Sequence, residues 1–361
     1  MLEISIKRTL PGFTLDVKLT ANEEIVSILG PSGSGKTMTL FCIAGLIRPD
    51  EGLIKLNNRV IYSSEDKIFI APRNRKIGFV FQNYALFPHL TVAENIAYGL
   101  ADQPEKRVIK KVSELLEVIN IPALKDRYPA ELSSGQQQRV ALARAIAPEP
   151  EALLLDEPFS ALDAYRKERL EYELLSLNRY YRGDILFVTH DLDQGFKVGK
   201  HIAMYDNGKI VQYADKHQVI SCPVNRTAAR LAGFKNLVEG QVVAYSDDAA
   251  EVFIPEFDQN LTVIVPASMK LIADQAVMIG IRPEHLTAVS QPESNTVCCR
   301  LDRKVHGVTT LHSYYHALND HQQRYSLECR YLGVDQDLSA REEKTCYLYF
   351  NPQHLVIIPL G

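Results

Sequence analysis

No stretch of the 361-residue sequence approaches the ~18 continuous apolar residues of a membrane span, which excludes a spanning helix. Its six cysteines, Cys42, Cys222, Cys298, Cys299, Cys329 and Cys346, form neither a CxxC pair nor a metal-ligand spacing. They read as scattered thiols of a reducing compartment. An excess of positive charge is also missing: 40 Lys and Arg against 44 Asp and Glu leave a net charge of -4, which argues against a nucleic-acid partner. The opening "MLEISIKRTL" lacks the charged-then-apolar plan of a signal peptide; Leu2, Ile4 and Ile6 alternate with polar residues, as in a strand. The expected location is therefore the cytoplasm, unless a partner holds the chain at a membrane. What remains, 46% hydrophobic and 23% charged residues, is the composition of an ordinary globular protein, and the length suggests two domains at about 150 residues each.

Three apolar runs organise the first 235 residues, and each ends in a residue capable of chemistry. "EEIVSILG" runs into Gly30, "EALLLDEP" into Asp156 and Glu157, and "DILFVTH" into His190. Near-continuous apolar runs of this length suit strands of a parallel sheet buried on both faces. Between them, Val108, Ile109, Val112, Leu115, Leu116 and Ile119 recur at helical spacing. The class is α/β, and in such sheets ligands gather beyond the carboxyl ends of the strands.

After the first run comes "GPSGSGKT", Gly30 to Thr37, matching G-x-x-x-x-G-K-[ST]. Its glycines allow a loop whose amides turn inward around phosphates, with Lys36 reaching the β- and γ-phosphates and the Thr37 hydroxyl on Mg²⁺. The metal needs a further hard oxygen ligand, and Asp156 at a strand end fits. The adjacent Glu157 then has another task, to orient the attacking water. "LSSGQQQRVALARAI", residues 132–146, opens a helix on three small polar residues. Ser133 or Ser134 there reads first as an ordinary N-cap, and also as an anion site.

In combination these segments resemble the ATP-binding cassette (ABC) ATPases. "GPSGSGKT" resembles their Walker A motif, Gln82 in "VFQNYALFPH" the Q-loop glutamine, and "LSSGQQQR" the family signature; "ALLLDEP" is similar to Walker B, "SALD" (Ser160 to Asp163) to the D-loop and His190 to the switch histidine. The resemblance implies a P-loop ATPase with a mostly parallel sheet and helices over residues 1–235, binding ATP and Mg²⁺. It assigns the nucleotide to Gly30, Pro31, Ser32, Gly33, Ser34, Gly35, Lys36, Thr37, Met38, Gln82 and Phe13, the last as the aromatic partner of adenine. Ser133, Ser134, Gly135, Gln136 and Asp163 would reach the nucleotide held by a second copy, since the chain carries one copy of each motif and cannot complete its own site. Glu157, His190 and Lys36 would be catalytic, and Thr37, Gln82 and Asp156 would hold the metal. Ser134 departs from the commonest signature, which has Gly there, and Gly195 stands where a helix-favouring Ala is more usual and weakens that helix by ~1 kcal/mol.

The segment after Gln82 exposes Tyr84, Leu86, Phe87, Pro88 and Leu90, which read as packing between lobes or, by resemblance, as the lining of a groove that receives a helix of a membrane subunit. The wording from Ala71 to Leu100 is similar to importer cassettes for molybdate, tungstate or sulfate. Ferric iron, polyamine and sugar importers, and less closely a soluble non-transport ABC ATPase, are the alternatives. Two permease subunits and, indirectly, an extracytoplasmic solute-binding protein are the implied partners, and the cytoplasmic face of the membrane the implied location.

Past Phe234 the helical spacing fades into short alternating segments, which predicts an all-β module over residues 236–361, of OB-like or TOBE type and regulatory by resemblance. Inside it, "IGIRPEHLTAV" (279–289) matches "LYFNPQHLVII" (348–358) at an offset of 69 residues, suggesting lobes of about 236–291 and 292–361. His285 and His354 stand at equivalent turn positions and read as structural rather than as metal ligands.

Overall fold

The computed structural model describes residues 1–160, 171–172, 174, 181, 183–246, 248–266, 269–320, 326–332 and 345–360. The chain divides into two compact units, Met1–Lys216 and His217–Gly361. The sequence changes character at about 235, where the strands of the second unit begin; two short helices, Lys216–Ser221 and Arg226–Leu231, precede them. Among the described residues no helix is long and apolar enough to cross a membrane.

In the first unit β1 (Leu2–Leu10), β2 (Phe13–Ala21), β3 (Ile25–Leu29), β4 (Glu51–Leu56), β5 (Arg59–Ser63), β6 (Ile68–Phe69), β7 (Ile77–Val80), β8 (Ala152–Asp156), β9 (Asp184–Thr189), β10 (His201–Asp206) and β11 (Lys209–Asp215) form one sheet. Its order is β6-β5-β4-β1-β2-β11-β10-β3-β9-β8-β7. The sheet is mixed: β10, β3, β9, β8 and β7 run parallel, whereas β2, β1, β4, β5 and β6 are antiparallel. Each residue of β3, β8 and β9 is buried. Alternate side chains explain why those runs are apolar throughout: Leu153, Leu155, Ile185 and Phe187 join one core, and Ala152, Leu154, Leu186 and Val188 the other.

Helix α1 (Lys36–Ala44) packs Leu40, Cys42 and Ile43 into the second of these cores. Its C-terminal carbonyls meet Arg75, a fully buried side chain whose Nη1 donates to the carbonyls of Cys42 and Ile43 at 2.9 and 2.7 Å and whose Nε donates to Ile70 at 2.7 Å. Burial lowers the Arg75 pKa to about 10. The opposite core takes α2 (Val92–Ala97), α3 (Glu105–Val118) and α4 (Ser134–Ile146). On α3 the expected stripe holds at Val112, Leu115 and Leu116, but Ile109 is 62% exposed. It stands a quarter-turn round from Val108, at the rim of the stripe. On α5 (Leu192–Val198), Gly195 lies against β3: an added Cβ would come 3.1 Å from the Leu29 methyls, a tight contact that Leu29 would have to yield to.

The second unit is two five-stranded antiparallel sheets built by exchange. The first contains β12 (Asn236–Tyr245), β13 (Ala249–Ile254), β14 (Gln259–Ile264) and β15 (Ala276–Ile281) and the second β17 (Thr296–His306), β18 (Thr310–Ala317), β19 (Leu327–Leu332) and β20 (Thr345–Phe350). Each receives its fifth strand from the other half of the chain: β21 (Val356–Pro359) pairs with β15, and β16 (Leu286–Val289) pairs with β20. The orders, β14-β13-β12-β15-β21 and β19-β18-β17-β20-β16, are the same path traced twice. The repeated Pro-x-His-Leu segments are the crossovers, one-turn 3-10 helices at Pro283–His285 and Pro352–His354. There His285 and His354 stack with ring centres 4.0 Å apart. Both sheets share one core, in which Phe257 and Phe350 lie 5.7 Å apart.

Candidate active site

Beyond the carboxyl end of β3 the chain turns through Gly30–Gly35 into α1. Gly35, the N-cap, has φ +100°, and a Cβ there would lie 2.8 Å from Leu15 Cδ1 and 3.0 Å from Phe13 Cζ. Both constraints require glycine. Neither a capping side chain nor a first-turn acid occupies the α1 N-terminus, which leaves its amides and partial positive charge for an anion. Ser34 Oγ is buried with no partner among the described residues, a second polar group awaiting a ligand. Lys36 folds back over the loop, its Nζ donating to the carbonyls of Gly30 at 2.8 Å and Pro31 at 2.9 Å. Burial lowers its pKa, against the opposing pull of Glu157 and Asp156.

The end of β8 supplies the facing wall. Thr37 Oγ1 donates to Asp156 Oδ1 at 3.0 Å, and burial raises the Asp156 pKa above the ordinary carboxylate range. Glu157 has φ +43°, a left-handed turn that reverses the chain as it leaves the sheet, and its Oε2 lies 3.3 Å from His190 Nδ1. His190 follows β9 directly, with its side chain 59% exposed. A cavity of about 500 Å³ lies between these walls, lined by Leu10, Pro11, Phe13, Ser32, Gly33, Gly35, Lys36, Thr37, Met38 and Glu157. An anionic ligand of phosphate character fits the bare amides, the orphaned Ser34 hydroxyl and Lys36. A hydroxyl and a carboxylate hydrogen-bonded at 3.0 Å are hard oxygen donors of the kind Mg²⁺ takes, so the residues present fit that ion.

Lys36, Thr37, Asp156, Glu157 and His190 therefore meet, and Phe13, Ser32, Gly33, Gly35 and Met38 line the same space. Gly30 and Pro31 enter through their backbone, as acceptors for Lys36. Gln82, expected at the metal, is exposed on the loop after β7 and does not line the cavity. Ser133, Ser134, Gly135 and Gln136 do not line it either. They form the start of α4, where Ser133 Oγ accepts from the Gln136 amide and Gln136 Oε1 from the Ser133 amide, a reciprocal cap. Asp163 lies outside the described residues.

Leu10 and Pro11 were not anticipated; the β1–β2 turn that presents Phe13 brings them along, and the strand alternation before them gave the only signal. Tyr84, expected on an exposed groove, is 4% exposed and packs in the core with α2 and α4. The surface is made instead by Phe87 and Tyr98, ring centres 4.3 Å apart, the latter 59% exposed.

The ABC transporter family pattern matches residues 14–160. The sulfate/thiosulfate import ATP-binding protein CysA of Halalkalibacterium halodurans is 38% identical, over 76% of this chain and 74% of the relative. The molybdate/tungstate import ATP-binding protein WtpC of Pyrococcus abyssi is 36% identical, over 84% of this chain and 82% of the relative. Among solved structures, a dimeric post-hydrolysis state of an ATP-binding cassette bound to ADP and Pi is similar with a TM-score of 0.52 at 30% identity, covering 60% of this chain and 99% of that one.

Proposed function

Because the chain belongs to the ABC transporter family of import ATP-binding proteins, we propose that it hydrolyses ATP to drive uptake of an oxyanion, sulfate, molybdate or tungstate in class, through a membrane permease. The observation that carries the reading is that Lys36, Thr37 and Glu157 line one cavity, with Asp156 hydrogen-bonded to Thr37 and His190 beside Glu157 behind that lining. The solute class rests on the relatives alone.

In this reading the loop amides and Ser34 hold the phosphates, and Lys36 exchanges its two carbonyl acceptors for phosphate oxygens. Phe13, with Leu10 and Pro11, receives the base. Thr37 and Asp156 would hold Mg²⁺, joined by Gln82 if its loop moves inward; when bound, the ion neutralises charge developing on the phosphates. Glu157 Oε2 orients the attacking water and accepts its proton, and His190, already beside that carboxylate, fixes its direction and contacts the γ-phosphate. The capped start of α4 does not face the cavity of its own chain. Ser133, Ser134, Gly135, Gln136 and Asp163 are assigned to the nucleotide of a second copy in a closed two-fold dimer, as the dimeric relative suggests. Two permease subunits dock near Phe87 at the cytoplasmic face of the membrane, a solute-binding protein delivers the oxyanion to them, and the β unit regulates; its two lobes, expected at 236–291 and 292–361, exchange β16 and β21 rather than divide at one point.

Glu157→Gln tests the central assignment. It should retain ATP binding, trap an ATP-bound dimer and lower turnover by about 10²-fold or more, the scale of lost general-base catalysis. Turnover near the parental rate would remove Glu157 from the reaction.

A further inference from the structure

Two functional elements of the proposed ATPase, the loop after Gln82 and the helix headed by Ser133–Gly135, meet at a side chain outside the nucleotide cavity. Arg144 sits in the last turn of α4. Its Nη2 donates to the Tyr84 carbonyl at 2.8 Å and its Nη1 to the Ala85 carbonyl at 2.6 Å, and its guanidinium carbon lies 5.2 Å from the centre of the Phe87 ring. One rigid fork thus grips two consecutive carbonyls and covers the ring two residues on.

The gripped residues are unusual. Tyr84 and Ala85 are adjacent non-glycine residues with φ +62° and +44°, a conformation that side-chain-bearing residues leave unless their surroundings impose it. Burial lowers the Arg144 pKa, a cost that a simple packing role would avoid with an apolar residue. A second hold lies further along the loop. Asn95, fully buried on α2, donates through Nδ2 to the carbonyls of Phe87, Leu90 and Thr91 at 3.0–3.1 Å and accepts the Phe87 amide at 2.9 Å. Residues 84–90 are therefore fastened to the helical layer at two points, although they follow β7 in the chain.

The geometry points to Arg144 as a positioning residue: it locks the Tyr84–Phe87 loop to α4, so that the loop beside the proposed docking surface and the helix that meets the partner's nucleotide move as one piece. The kinetic consequence rests on the proposed ATPase reading; the lock does not. Without the fork the loop relaxes to other conformations and fewer closures assemble a competent site, while the cavity that binds ATP stays intact.

The test uses the full chain with Arg144→Ala and Arg144→Lys. Three quantities are measured: ATP affinity without turnover, steady-state MgATP hydrolysis, and amide hydrogen exchange over residues 83–90 in the nucleotide-free protein. ATP affinity should stay within twofold of parental, kcat should fall about 10- to 100-fold with KM unchanged, and exchange over 83–90 should accelerate. Lysine should be nearly as defective as alanine, because an ammonium on a flexible stem does not replace the two-pronged donor. Parental exchange over 83–90 in a folded variant overturns the lock, and parental kcat overturns its role in turnover. Should the alanine variant fail to fold, the lysine variant decides on the same criteria. A parental chain that hydrolyses no ATP sinks the ATPase reading alone, because the exchange measurement still judges the lock.

Discussion

Arg75 places a positive charge in the interior against backbone carbonyls rather than a carboxylate. It sits at the negative end of α1, whose positive end forms the floor of the phosphate loop, so the helix is held at the end opposite its ligand. Arg75→Met should remove the side-chain donor from the Cys42, Ile43 and Ile70 carbonyls, of which Cys42 keeps the Gly45 amide, and lower stability by about 3 kcal/mol, read from the denaturant midpoint. An unchanged midpoint would mean that water reaches those carbonyls. At this scale the sequence was most legible where chemistry fixes a local pattern, as at Gly35–Thr37 and Asp156–Glu157. It was least legible where a neighbouring element decides the environment. Tyr84 looked like groove lining and is core, because α2 and α4 close over it; Gln82 carries the right motif but stands exposed on the loop after β7.

Among the elements, α4 shows that two readings of one stretch need not compete. Ser133 is an N-cap engaged in a reciprocal box, yet it also heads the helix assigned to a partner's phosphate. Ser133→Ala should cost about 1 kcal/mol of nucleotide-free stability through the lost cap. Any additional loss of ATP-driven dimerisation, measured by light scattering, belongs to the phosphate contact; a variant with parental stability would show the cap to be idle. The strands β3, β8 and β9 could be read directly, since burial on both faces demands apolar residues throughout. Their neighbours could not. The adjacency of β2 to β11 and of β3 to β10 joins strands far apart in the chain, and alternation says nothing about which distant edge a strand will meet.

Across the whole molecule, two differently made units follow one another, and the repeat noticed at Pro283–His285 and Pro352–His354 marks the crossovers of the second. Burial, the neighbouring His354 ring and Arg282 lower the His285 pKa, with Glu284 opposing. The folded state then binds fewer protons than the unfolded one below about pH 6.5, so stability falls as pH drops through that value towards the lowered one. Relative to His285→Gln, the parental chain should lose stability between pH 7.5 and 5.5, measured by denaturant unfolding at each pH. A difference that stays constant over the range would remove His285 as a source of acid sensitivity.

The exchanged strands also bear on synthesis. A ribosome delivers β15 long before β21, so the first β sheet emerges with an unpaired edge and waits for Val356–Pro359 to arrive. A nascent chain released before Val356–Pro359 would leave the β15 edge open to any passing strand, whereas in the folded unit β21 occupies it.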